Sequence, residues 1–257
     1  MLRKFLFASS CLGVFISTAS AADRPPVATV QNWSGFYLGG NIGYGWSDAA
    51  SSMGFLLFDV PSPLPVGVPG TYRPGGNGAL GGGQIGVNYQ ISRAVFGAEA
   101  DITSGFKGQE VATGAVPSQG GPVPFTSTQT QAVDWLATVR GRVGFLPIDS
   151  LLIYATGGFA IGGVSHSSRL AFAGVGGTTY FGTDSSTRTG WTVGGGGEYL
   201  IGSNLSVKLE YLYYDLGASS FFARDVLFPN QPFKLQAQFT GRGQIARIGL
   251  NYRFGPR

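Results

Sequence analysis

Apolar and polar positions alternate with a period of two along much of the chain between residues 36 and 254, and that period predicts β-strands rather than helices. In the first run Phe36, Leu38, Gly40, Ile42, Tyr44 and Trp46 share one face, and Tyr37, Gly39, Asn41, Gly43 and Gly45 share the other. Seven further runs follow, near 84–90, 96–102, 133–145, 153–161, 191–199, 205–214 and 246–254. The fourth sets Val133, Trp135, Ala137 and Val139 against Asp134, Thr138, Arg140 and Arg142. The seventh sets Leu205, Val207, Leu209, Tyr211 and Tyr213 against Ser206, Lys208, Glu210 and Tyr214. An apolar face of this kind is covered either by a second sheet or by lipid.

The connections decide between the two. Short turns fall around Ser92-Arg93, Pro147 to Ser150 and Gly202 to Asn204, and long stretches rich in Gly, Pro, Ser and Thr fall at 47–79, 105–130, 165–188 and 217–238. Short and long alternate strictly, as in a barrel with periplasmic turns on one side and surface loops on the other. Aromatic side chains add a further sign. Trp46, Trp135, Trp191, Tyr211 and Tyr213 stand at the loop-side ends of the apolar face, and Phe36, Tyr89, Phe145, Tyr199, Tyr252 and Phe254 at the turn-side ends. Two aromatic belts one strand apart are what the interfaces of a bilayer select. The expected fold is all-β, an eight-stranded antiparallel up-and-down transmembrane β-barrel with long extracellular loops and short periplasmic turns.

Composition agrees with strands. The chain holds 43 Gly in 257 residues, too many for a helical protein, since each Gly inside a helix costs about 1 kcal/mol relative to Ala. Aromatic residues at 13% exclude disorder, and no Gly-X-Y period supports collagen. Residues 1–22 read as a cleaved secretory signal peptide: Arg3 and Lys4, an apolar stretch from Phe5 to Ile16, then Ala19-Ser20-Ala21-Ala22. The only cysteine, Cys11, would leave with it. Residues 23–34 are expected to be a periplasmic N-terminal segment and 35–257 the barrel. Without Arg3 and Lys4 the excess of basic residues falls from four to two, and nothing suggests a nucleic-acid partner.

The same alternation turns an unusual set of charges inward. Glu99, Asp101, Asp134, Glu198 and Glu210 are expected to meet Arg140, Arg142, Lys208, Arg247 and Arg253 in one narrow lumen. An eight-stranded barrel is just wide enough for side chains to fill, so these charges are expected to pair into a plug rather than line a conducting path. The glycine runs 81–83 and 194–197 read as strand glycines that spare room for large inward neighbours, and Pro61 to Pro65 as stiffened loop.

His166 is the only histidine, in Ser165-His166-Ser167-Ser168. Some eight-stranded barrels are lipid A esterases with a His and a Ser two residues later, but the position for their acid is Tyr180 here. A nucleophilic Ser needs its base oriented by a third group, so no catalytic residue is assigned. His166 could serve as a haem ligand with Tyr72 or Tyr180, since His and Tyr both ligate haem iron. A solvated loop histidine is the favoured reading, and no cofactor or metal site is assigned.

Several runs carry a resemblance: Asn32 to Gly39, Trp135 to Gly144, Leu152 to Gly158, Gly190 to Gly194, Lys208 to Gly217 and Arg247 to Phe254. Together they resemble the small outer-membrane β-barrel family of alphaproteobacteria, described as outer-membrane immunogenic or porin-like proteins. The resemblance implies an outer-membrane location, a surface or envelope-structural role and no catalytic residues. The expected partners are outer-membrane lipid and lipopolysaccharide, the outer-membrane assembly machinery through the C-terminal strand, and a host or environmental ligand at the loops. Such strands usually finish on an aromatic residue, whereas here Gly255-Pro256-Arg257 follow Phe254. The rival reading is a narrow solute channel or a haem-binding surface receptor.

Overall fold

The computed structural model describes residues 32–254, apart from 49, 59, 66, 175 and 176. The leader, most of the N-terminal segment and the tail after Phe254 lie outside the described residues. Eleven strands are present among those described: β1 (Gly35–Ser47), β2 (Ser51–Leu57), β3 (Val60–Ser62), β4 (Thr71–Tyr72), β5 (Asn77–Ile91), β6 (Ala94–Val116), β7 (Val123–Ile148), β8 (Leu151–Phe172), β9 (Thr179–Leu200), β10 (Leu205–Asp225) and β11 (Phe233–Phe254). Eight of them, β1 and β5 to β11, pair in sequence order as antiparallel neighbours, and β11 pairs back onto β1. The closed ring leaves these strands no free edge at membrane depth, the condition for crossing hydrocarbon with strands.

Each of the eight runs seen in the sequence lies inside one ring strand, and the two faces divide as the alternation requires except at Val133 and Asp134 on β7. On β1 Phe36, Leu38 and Ile42 are exposed on the outside while Tyr37 and Asn41 are buried. On β10 Leu209 and Tyr211 are exposed while Ser206, Lys208 and Glu210 are buried.

The long connections differ from expectation. Most of 105–130, 165–188 and 217–238 is strand, so the irregular segments between β6 and β7, β8 and β9, and β10 and β11 shrink to 117–122, 173–178 and 226–232. A barrel strand needs about 9–11 residues to cross a bilayer, whereas β6 has 23 and β7 has 26. The surplus carries the sheet well beyond the loop-side aromatic belt. β1 and β5 stop near that belt, with 13 and 15 residues. There β2 takes over the pairing along β11, from Leu57 opposite Phe233 to Ser51 opposite Phe239, with β3 and β4 on its other edge. Met53, Phe55, Phe125, Leu170, Ala223 and Leu235 pack inside this extension as its own apolar core.

Candidate functional site

The charged cluster in the lumen follows from strand register. Pairing sets Glu99 of β6 opposite Arg140 of β7, Lys208 of β10 opposite Glu198 of β9, and Glu210 of β10 opposite Arg247 of β11. Glu99, Glu198 and Glu210 therefore each have a base beside them on the next strand before any contact across the barrel is made, while Asp101 faces Thr138. Glu99 accepts hydrogen bonds from Arg140 Nη2 at 2.5 Å, from Lys208 Nζ at 2.9 Å and from the Tyr37 hydroxyl at 2.7 Å. Asp101 accepts from Arg140 Nη2 at 2.7 Å, Arg247 Nη1 at 2.9 Å and Thr138 Oγ1 at 2.6 Å. Glu210 accepts from Arg247 Nε at 2.7 Å and the Tyr154 hydroxyl at 2.9 Å, with Arg140 Nη1 at 3.2 Å. Glu198 accepts from Arg142 Nη1 at 3.1 Å, Ser206 Oγ at 2.5 Å and Asn251 Nδ2 at 2.8 Å.

Four acids and four bases thus form one network, and none of the eight side chains is more than 2% exposed. The contacts of Lys208 with Glu99 and of Arg247 with Asp101 cross the lumen and tie opposite walls together. Arg142 lies between two aromatic faces, 4.7 Å from the Tyr37 ring centre and 5.2 Å from that of Tyr154. Glycine makes the space for both tyrosines. A Cβ on Gly86 would stand 2.2 Å from the Tyr37 hydroxyl, and one on Gly196 2.9 Å from that of Tyr154. These tyrosines complete the network, and their only sequence signal was an inward position beside the charges.

Two of the expected members stand elsewhere. Asp134 is exposed and accepts a hydrogen bond from Ser165 Oγ at 2.7 Å. A β-bulge at this residue, between Val133 and Trp135, adds one residue to β7 relative to β8. The bulge reverses the phase of the strand, so Val133 turns into the lumen while Trp135 stays outside over Gly163. Arg253 does point inward, but at the turn-side end, with no ion pair to the network carboxylates. Its guanidinium lies 4.8 Å from the centre of the Trp33 ring and donates to the Asn32 carbonyl.

Apolar layers bound the network at both ends. On the turn side Trp33, Val95, Leu146, Leu152, Tyr154 and Leu200 pack together, and the buried Trp33 indole donates to the Asp149 carbonyl at 2.9 Å. Trp33 therefore belongs to the barrel, within the stretch expected to be a periplasmic segment. On the loop side Phe106, Val133, Leu136, Leu212, Tyr214 and Ile245 form a second layer.

Most aromatic side chains assigned to the two belts are exposed on the outer face, among them Phe36, Tyr89, Phe145, Trp191, Tyr199, Tyr211, Tyr252 and Phe254, while Trp46, Trp135 and Tyr213 are half-buried. Trp46 packs beside Tyr211 and Trp191 beside Tyr213, with ring centres 6.1 and 5.4 Å apart.

His166 is not a solvated loop residue. It lies on β8, seven residues beyond Phe159, the partner of Trp191, and so outside the membrane-spanning part of the barrel. Its ring is 4% exposed and stacks on Phe239 at 4.5 Å, and Phe239 in turn stacks on Phe221. Ser168 shares the inward face, but its Oγ accepts from Gln129 Nε2 at 2.9 Å. Tyr72 is buried, and Tyr180 pairs with Leu170, four residues along β8 from His166.

Burial pushes the His166 imidazolium down to about 4, against the pull of Asp184 and Asp134 and with the push of Arg188. A depressed folded value means that the unfolded chain takes up the proton first. Stability of the extension should thus be complete above pH 6.5 and fall progressively as pH drops toward about 4. Amide protection factors in the extension, that is, exchange relative to the intrinsic rate at each pH, are expected to fall between neutral pH and about pH 5 in the wild type. His166→Phe should remove that difference, and an equal acid response in both proteins would show that His166 is not its source.

A family model for the outer membrane protein beta-barrel domain matches residues 8–254. The chain is 33% identical over 252 residues to the 31 kDa outer-membrane immunogenic protein of Brucella melitensis biotype 1, covering 97% of this chain and 95% of that one. It is 31% identical over 209 residues to the 22 kDa outer membrane protein of Rhizobium leguminosarum bv. viciae, covering 78% and 75%. Among solved structures, the outer membrane protein OprG from Pseudomonas aeruginosa superposes with a TM-score of 0.51 at 13% identity, over 88% of this chain and all of that one. That likeness shows the fold.

Proposed function

The chain belongs to the outer-membrane β-barrel family that includes these immunogenic proteins, and from that premise we propose that it is a non-enzymatic surface protein whose barrel is a closed, load-bearing plug in the outer membrane. Its location in the outer membrane follows from the family. The closed ring supplies rigidity, and the long extension carries the tips 117–122, 173–178 and 226–232 away from the membrane, where they would be displayed as surface antigen. One observation carries the plug: a charge-balanced, fully buried network spans the lumen between two apolar layers. Buried charges held by several partners hold one another in place, and apolar layers above and below them oppose a continuous water path.

The test is conductance. Folded protein in a planar bilayer should pass no steady current in concentrated potassium chloride. Large, steady wild-type currents would overturn the plug and favour the narrow-channel reading.

Orientation has its own test. A broad-specificity protease added to intact cells should cut at the tips, most readily at 226–232, where Val226, Leu227 and Phe228 are exposed. The turn at Ser92-Arg93 should survive. Cutting there with the tips intact would invert the barrel.

A further inference from the structure

At the far end of the extension, between the β2–β3 segment and the ends of β8, β9 and β11, lies a cleft of about 230 Å³. Its floor is the Phe55–Tyr180 pair, packed edge to face with ring centres 5.2 Å apart at 80°. Phe172 and Phe233 stand on its walls, with Pro63 and Pro65 on the β2–β3 side. Among the described residues no charged side chain lines it, and the polar side chains at its surface are Thr178 and Tyr180. Below the floor the chain is packed solid: Leu170, Ala223 and Leu235 are fully buried and Phe125 nearly so. The cleft is therefore blind, a place for a ligand to stop rather than to pass.

We propose that this cleft is a binding site for a small, uncharged aromatic molecule, a single flat ring system carrying at most one hydrogen-bonding group. Three observations select that class. The volume holds one ring system and is too small for a porphyrin. The walls are rings and prolines, which offer faces and edges to a flat apolar ligand. An ionic group would lose its hydration there with no opposite charge in the lining to replace it. Burial raises the Tyr180 phenol above its ordinary value, so its hydroxyl stays neutral and can accept a hydrogen bond from a ligand N–H or O–H. Most of the binding free energy comes from removing apolar ring surface from water, and the hydroxyl fixes orientation.

Indole serves as the probe, in its 5-fluoro form, with the full chain in phosphatidylcholine nanodiscs and fluorine NMR as the readout. Empty nanodiscs supply the baseline for partition into lipid. Saturable one-to-one binding above that baseline is expected. Thr178→Trp fills the cleft from its rim, where only the Thr178 backbone carbonyl is used by the fold, and should weaken binding at least ten-fold. Gln119→Trp, which places the same ring on another tip, should leave it unchanged. Tyr180→Phe should weaken 5-fluoroindole several-fold while leaving fluorobenzene, which has no N–H, unaffected. If Thr178→Trp does not insert into the nanodisc, Pro63→Trp blocks the opposite wall and is read in the same way. Uptake no greater than in empty nanodiscs, or saturable binding that the blocking variant does not change, would overturn the site. Neither result bears on conductance, so the plug is judged separately.

Discussion

Glu99→Ala is expected to destabilise the folded barrel by about 3–5 kcal/mol, the usual cost of stripping one partner from a fully buried ion pair. Glu99 receives hydrogen bonds from Arg140, Lys208 and Tyr37, and Arg247 and Arg142 lie 3.6 and 3.7 Å from it. Truncation leaves four cations facing three carboxylates in a space almost closed to water. Lys208 suffers most, because its next carboxylate, Glu210, is 3.8 Å away. Water entering the cavity would reduce the loss toward the lower end of the range. The measurement is urea unfolding in lipid vesicles, with Glu99→Gln beside it to keep the shape while removing the charge. Adding Lys208→Met to Glu99→Ala should restore part of the stability, since it removes the stranded cation. An unchanged unfolding midpoint for Glu99→Ala would show that Glu99 is not buried among these bases. A current appearing in the variant but absent from the wild type would tie the same contacts to closure of the lumen.

The network was legible in sequence because its members lie where the alternation is clean. Arg140 and Arg142 are separated by one residue on β7, Lys208 and Glu210 likewise on β10, and the outward partners between them are apolar or small. Asp134 was misread for a physical reason: a bulge inserts one residue without changing the look of the pattern. Val133 and Trp135 are two apart and both apolar, so they read as one face although the strand changes phase between them. The long strands beyond the belt were hidden for the opposite reason. There both faces are polar, as in Thr126 to Gln131, where Ser127, Gln129 and Gln131 are buried and Thr126, Thr128 and Thr130 alternate with them. Outside lipid nothing demands an apolar outer face, and a sheet without that contrast resembles loop until its pairing is known. His166 reads as a loop residue on the same grounds. Trp33 escapes the alternation because it precedes the first run; its packing with Val95, Leu146 and Leu152, its bond to the Asp149 carbonyl and its stacking under Arg253 show that the barrel begins there.

Leu209→Arg is expected to cost about 2–4 kcal/mol of stability in lipid, the range for a basic side chain near the middle of a barrel's outer face. Leu209 is 66% exposed and pairs with Ile248 on one side and Gly197 on the other. It lies two residues from Tyr211 of the loop-side belt and two from Val207, the partner of Tyr199 of the turn-side belt, so it stands midway between the belts. An arginine there can bend its charge toward one interface, which places the expected loss below that of a fixed charge at the midplane. Gly197 beside it offers no side chain to shield the guanidinium from hydrocarbon. The comparison is Gln119→Arg at the β6–β7 tip, where a charge stays in water and should change stability by no more than about 0.5 kcal/mol. Unfolding by urea in vesicles reads both, and in detergent, where the micelle deforms around a charge, the gap between them should narrow. Equal stability of the two variants in vesicles would mean that the odd positions of β10 do not face lipid, and with them the assignment of Lys208 and Glu210 to the lumen would fall.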